Sequence, residues 1–403
     1  MSKLLFLAHR IPYPPNKGDK IRSFHLLRYL STEYQIFLGT FIDNPDDWQY
    51  TDKVREFCVD TCFEKLSPVK SRIKSLAGFL TGEPLTIPYY RNHSLQKWVD
   101  DIMQKENIDR ILIFSSSMAQ YISKWIDKDR ITVIDFVDVD SDKWKQYASS
   151  KSWPESAIYR REAKKLFGYE QYLSSISDMS VFVSESEANM YRSQYRDHPE
   201  KVTYVNNGVD TDYFTPLTKY KNPYGEDESV IIFTGAMDYW ANVDAVTWFC
   251  TEVLPSVREY HPAINFYIVG SNPTDNVMKL ENIPGVTVTG AVKDIRPYIA
   301  YAKLSVAPMR IARGVQNKVL EAMAMSKLIV VTPQGLDGIK ARNEQELFME
   351  EDSIRFADKV VDLLENNGRD SVKNNARDFV EKNYSWSANL KRMQGLLETG
   401  KSE

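Results

Sequence analysis

Arg310 and Arg313 stand just before Gly314, and Lys318 and Glu321 follow at a spacing of three. The apolar residues around the last two recur with a helical period, which predicts a helix over residues 315–325. A helix that opens after glycine offers unpaired N–H groups and the positive end of its dipole. That end suits a phosphate. Lys318 then lies about one turn inside, and Glu321 shares its face. A cation and a carboxylate so placed could hold a pyrophosphate and a ribose diol. The same spacing also fits a solvated helix laced by surface ion pairs. The residues alone leave both readings open.

Three other places could carry chemistry. Lys3 to Ala8 reads as a buried strand, and residues 9–20 form a loop stiffened by Pro12, Pro14 and Pro15. Gly18 and Asp19 end that loop, ahead of a helix with Ile21, Phe24, Leu27 and Leu30 on one face. The tips of such loops are where open α/β sheets hold ligands. Residues 131–136 read as a strand that runs into Asp138 and Asp140, the letters of an Asp-x-Asp metal motif. We read Asp138 instead as a catalytic candidate at the carboxyl edge of a sheet, facing a cleft. Helix capping by Asp138 or Asp140 is the alternative. Further on, strands over 230–233 and 264–269 end near Gly235 and at Gly270 and Ser271, edge positions suited to a nucleotide.

The elements that must position these groups alternate. Strands are predicted over residues 35–40, 110–114, 180–183, 202–205, 286–288, 304–308 and 328–332. One helix is predicted over 243–258, two cover roughly 352–382, and a last one follows Tyr384-Ser385-Trp386. The turn Asn206-Asn207-Gly208 and the polar run 218–229 suit a handover between two domains. Residues 65–91 pair Lys65, Lys70, Arg72 and Lys74 with Val69, Ile73, Leu76, Phe79 and Leu80. A helix packed on the core with a wet basic face is the preferred reading there. A membrane-surface contact is the other.

Composition bounds the rest. The chain has 403 residues, 43% hydrophobic and 26% charged, enough for two domains. A net charge of −4 argues against nucleic acid as a partner. Three cysteines form neither a disulfide framework nor a zinc site, which fits a reducing cytoplasm. No apolar run reaches the roughly 18 residues that span a bilayer. Neither a metal nor a cofactor is expected.

The run Gly314 to Ala324, with Leu320-Glu321-Ala322-Met323-Ala324 at its end, resembles the nucleotide-sugar signature of the retaining family-4 glycosyltransferases. Residues 207–214, Asn-Gly-Val-Asp and then Phe214, are similar to that family's hinge signature. The opening HRIPYPPNKGDKIRSFHLLRYLS resembles a sugar-transferase subfamily found with exosortase (PEP-CTERM) exopolysaccharide loci. The resemblance implies that Glu321 binds the donor ribose and that Gly314 and Val315 open the donor helix. It also implies that the loop ending in Gly18 and Asp19 lies against the donor diphosphate and the acceptor, which makes both site candidates. The family usually has a sugar-contacting Glu where this chain has Arg313. It also has a Gly-Arg and a Lys-Gly after the second domain's first strand, where this chain has Met237, Asp238 and Tyr239. Arg310 and Lys318 are then the candidates to supply the missing positive charge.

The expectation is therefore a GT-B protein of two Rossmann-like α/β domains, over residues 1–207 and 208–384, with a helix over 385–403 returning to the first. It would move a sugar from a nucleotide sugar to a glycan or lipid-linked acceptor, with retention, in exopolysaccharide synthesis. It would work in the cytoplasm, at the inner membrane face if the basic stretch touches lipid. An epimerase on the same fold and a non-catalytic partner subunit are the alternatives.

Overall fold

The computed structural model describes all residues except Asp127, Lys128, Arg313, Gly314, Asn367 and Glu403. Two compact units divide the chain: Met1–Asn207 with Asn389–Glu403, and Gly208–Ala388.

The first unit is built on seven parallel strands: β1 (Lys3–Ala8), β2 (Gln35–Ile42), β3 (Asp60–Lys65), β4 (Arg110–Phe114), β5 (Ile131–Val137), β6 (Met179–Phe182) and β7 (Val202–Tyr204), in the order 3-2-1-4-5-6-7. The apolar runs of β1, β4 and β5 are continuous because helices cover both faces of the sheet. Leu5, Leu7, Ile111, Ile113 and Ile134 are wholly buried. Each such side chain contributes about 1.5–3 kcal/mol of transfer free energy. The strand order reverses between β1 and β4, where open sheets of this kind bind ligands.

Arg22, on helix Gly18–Leu30, is fully buried against Asp135 of β5, Nε to Oδ2 at 2.8 Å. Its Nη1 donates to the Val205 carbonyl and to Asn207 Oδ1 at the end of the unit. Asp135 Oδ1 also accepts the Val137 amide at 3.1 Å. Val137 has φ +69°, and the β5–β6 register shifts there. A β-branched residue avoids that region unless its surroundings hold it. Such a bulge re-aims the residue that follows it, here Asp138.

The second unit has six parallel strands: β8 (Ser229–Thr234), β9 (Ile264–Val269), β10 (Val286–Gly290), β11 (Leu304–Ala307), β12 (Ile329–Val331) and β13 (Phe348–Met349), in the order 10-9-8-11-12-13. This repeats the first unit's arrangement. The predicted helix over 243–258 is broken. It runs Trp240–Trp248, passes through a π-helical turn at Phe249–Val253, and resumes at Leu254–Tyr260. Pro255 lacks an N–H and its ring crowds the preceding turn, so the regular ladder cannot continue.

The core-packed reading of residues 65–91 does not hold. Helices Pro68–Ser75 and Ala77–Thr81 bury Ser71 and Gly78, whereas Val69, Ile73, Leu76, Phe79 and Leu80 are exposed. Small residues let this backbone lie close to its support. A Cβ on Gly78 would stand 3.1 Å from the Glu83 carbonyl oxygen. Arg161 donates to the Gly78 and Glu83 carbonyls at 2.5 and 3.1 Å, so the anchorage is polar.

Candidate functional site

Among the described residues, each unit has a large cavity at the carboxyl ends of its strands. The one in the second unit, about 540 Å³, is lined by Thr234 and Gly235 after β8, Gly270 and Ser271 after β9, and Ala291 and Val292 after β10. Val315, Gln316, Asn317, Lys318 and Glu321 close it from the loop and helix after β11. The loops pass very close: a Cβ on Gly270 would fall 1.6 Å from the Gly235 carbonyl oxygen. Only glycine fits there.

Helix Asn317–Ala324 is shorter than predicted, so Lys318 lies in its first turn. Lys318 Nζ donates to Asn242 Oδ1 at 2.9 Å and to Gln316 Oε1 at 3.3 Å, and lies 5.1 Å from the centre of the Phe233 ring. Asn242 is itself fixed, donating to the Ala236 carbonyl at 2.8 Å. Burial lowers the Lys318 ammonium to about 8, against the pull of Glu321. Burial raises the Glu321 carboxyl to about 7, against the pull of Lys318. Both shifts have one cause, the removal of charge from water.

A pH dependence follows. An ionised Glu321 would accept from hydroxyl groups in the cavity, and a protonated Lys318 would donate to an anion there. Were an anion bearing a hydroxyl pair to bind here, its affinity would rise through about 7 as Glu321 ionises and fall above about 8 as Lys318 loses its proton. Titration calorimetry across that range checks both limbs. A Glu321→Gln variant that keeps the acidic limb would reassign it.

The structure thus brings together Gly235, Gly270, Ser271, Val315, Lys318 and Glu321. Arg313 and Gly314 lie outside the described residues. Arg310 does not line the cavity; its Nε donates to Asp244 Oδ2 at 3.0 Å, and the side chain is exposed. Asn242, the residue that fixes Lys318, was not apparent in the sequence. No local pattern marks it.

The first unit's cavity, about 560 Å³, holds Asp19 and Asp138, with His9, Ser115, Lys143, Tyr90, Trp144 and Tyr159 among its lining. Asp138 does not cap a helix. Val139 holds the cap position of helix Asp140–Ser150, and Asp138 Oδ2 accepts from Lys143 Nζ at 2.6 Å. The same ammonium donates to Asp140 at 3.3 Å. Lys143 thus stands where an Asp-x-Asp metal would. Asp19 accepts from Arg10 at 2.6 Å and lies 3.4 Å from His9 Nε2. Burial pushes the Asp19 carboxyl up, but the His9 hydrogen bond and the Arg10 charge outweigh this and hold it below the usual range. Gly18 opens the helix beside it and lines neither cavity. Carboxylates and aromatic faces together suit hydroxyl-rich ligands, which donate to one and stack their C–H faces on the other.

Comparison with known proteins bears on both units. Residues 228–366 match a family model described as glycosyl transferases group 1. An uncharacterized 44.6 kDa protein in a cps region of Klebsiella pneumoniae is 20% identical over 400 residues, covering 95% of this chain and 97% of its own. A glycosyltransferase from Rickettsia africae superposes with a TM-score of 0.65 at 14% identity, over 99% of this chain and 98% of that one. HepE from Anabaena, solved in complex with UDP-glucose, gives 0.64 at 13% identity, over 99% and 100%. The chain has the two-domain fold of the GT-B glycosyltransferases, and its second unit carries the group 1 glycosyl transferase match.

Proposed function

We propose that this protein is a glycosyltransferase. It takes a sugar from a nucleoside diphosphate sugar held in the second unit's cavity and passes it to a hydroxyl of a glycan or lipid-linked acceptor held in the first unit's cavity. The observation that carries this is the Lys318–Glu321 pair beside the Gly235–Gly270 crossing. It offers a cation for a diphosphate and a carboxylate for a ribose diol. HepE, of like fold, was solved with UDP-glucose, and the group 1 match covers the same unit. The Klebsiella relative's place in a cps region favours a role in cell-surface polysaccharide synthesis.

The reaction we propose retains the anomeric configuration. The bond from the anomeric carbon to the diphosphate breaks, and the acceptor oxygen bonds on the same face. The acceptor proton passes to the departing diphosphate oxygen. The protein acts by positioning and by stabilising charge on the leaving group.

Incubation with labelled nucleotide sugars tests the reading. Acceptor-dependent release of nucleoside diphosphate is the expected result. Interconversion of nucleotide sugars without transfer would mark an epimerase, and nucleotide binding without turnover would mark a partner subunit. Glu321→Ala is expected to weaken nucleotide binding by about 1–3 kcal/mol, the cost of a lost hydrogen bond to a charged group. Unchanged affinity in a folded variant would sink the ribose assignment.

A further inference from the structure

The segment after β3 is built inside out. Val69, Ile73, Leu76 and Leu80 recur at spacings of four, three and four, one stripe of a helix. Leu76 joins the two short helices with helical angles, φ −59° and ψ −24°, so the stripe runs unbroken. Such a stripe normally faces a core. Here Val69, Ile73 and Leu80 are 69%, 66% and 92% exposed, and the residues turned inward are Ser71 and Gly78. Exposed apolar stripes of this kind mark contact surfaces.

Charge says what kind of surface. Residues 65–82 hold Lys65, Lys70, Arg72 and Lys74 and no acid. Lys70 and Lys74 lie one turn apart on one flank of the stripe. Their aliphatic stems can lie along an apolar boundary while their ammonium groups reach anionic headgroups. The other flank carries Arg72 and Ser75, which line the first unit's cavity. Helix Pro68–Ser75 therefore shows Val69 and Ile73 to the outside and Arg72 and Ser75 to the cavity.

We propose that this face docks the protein on an anionic bilayer, with the first unit's cavity opening at the lipid surface, and that the acceptor is lipid-linked. The acceptor half rests on the sugar-transfer reading above; the docking half does not.

The test is co-sedimentation of the full chain with phosphatidylcholine vesicles containing about one quarter phosphatidylglycerol, an anionic surface that attracts basic segments. Wild type is expected to sediment with them, less so as salt rises. Lys70→Gln with Lys74→Gln should weaken binding about 30-fold, the product of two headgroup contacts. Ile73→Asp with Leu80→Asp should weaken it at least about tenfold through the lost insertion. Wild type that stays in the supernatant, or Asp variants that sediment like wild type, would overturn the docking. So would concentration-dependent dimers that the Asp variants lose in place of vesicle binding. UDP affinity of the same preparations reports that the variants are folded. Wild type that binds vesicles but no nucleoside diphosphate would remove the sugar-transfer reading alone. Transfer to a soluble glycan but not to a lipid-linked one would overturn the acceptor half.

Discussion

Lys318→Met is expected to lower kcat by about 10²–10³-fold while changing the donor Kd far less. The leaving diphosphate gains negative charge as the glycosidic bond breaks. A cation that meets it therefore contributes more in the transition state than in the ground state. Lys318 suits that task because it is already held. Asn242 and Gln316 fix its ammonium, and the Phe233 ring lies beneath it. A fixed donor in a water-poor place needs little reorganisation when charge develops. Arg310→Met should do much less, since that guanidinium is bound to Asp244 outside the cavity. Measuring kcat and Kd separately on both variants decides the matter. Equal losses in kcat and affinity for Lys318→Met would mean that the lysine only binds. A large loss for Arg310→Met would move the compensating charge to the basic loop.

Asp135→Ala should cost about 3–5 kcal/mol of stability, because it leaves Arg22 charged and without its counter-ion in a fully buried site. The loss has three parts. The ion pair goes, the Val137 amide loses its acceptor, and the bulge that aims Asp138 loses its brace. Replacing both partners, as Arg22→Met with Asp135→Leu, should cost clearly less than the single change, since no buried charge remains. Denaturant unfolding of the three variants reads this directly. A double variant no more stable than Asp135→Ala would show that the hydrogen bonds to Val205 and Asn207, not the buried charge, dominate.

Much of the architecture was legible. Lys3–Ala8, Arg110–Phe114, Ile264–Val269 and Leu304–Ala307 are short apolar runs, and a strand buried on both faces needs little else. β3 escaped because Asp60–Lys65 is an edge strand, half-exposed, with only Cys62 and Phe63 apolar. β13 has only two residues. Lys318 and Glu321 could be placed at the cavity because both lie within one turn of one helix. Arg310 could not, since its partner Asp244 is 66 residues away. Lys143 was missed although it is near in sequence: only the turn from Asp138 into helix Asp140–Ser150 brings its ammonium onto both carboxylates. The stripe at 69–80 was visible as a period, but a period does not say which side faces inward. Ser71 and Gly78 decided that by their size.

The ends of the second unit lie together. Val209 donates to the Tyr384 carbonyl at 2.7 Å and bridges to Ser385, and Gly208 sits where a Cβ would strike the Trp386 backbone at 2.6 Å. The gap left in the first unit is closed likewise, with Asn389 Nδ2 donating to the Asn207 carbonyl at 3.4 Å. Topologically, the stretch from Gly208 to Ala388 is an insert with adjoining seams. A recombination that exchanged it would join the chain at two neighbouring points and leave both sheets whole. On the sugar-transfer reading proposed above, such an exchange would change the donor while keeping the acceptor. A graft of a foreign cassette at these two seams should fold more readily than one cut anywhere inside either sheet.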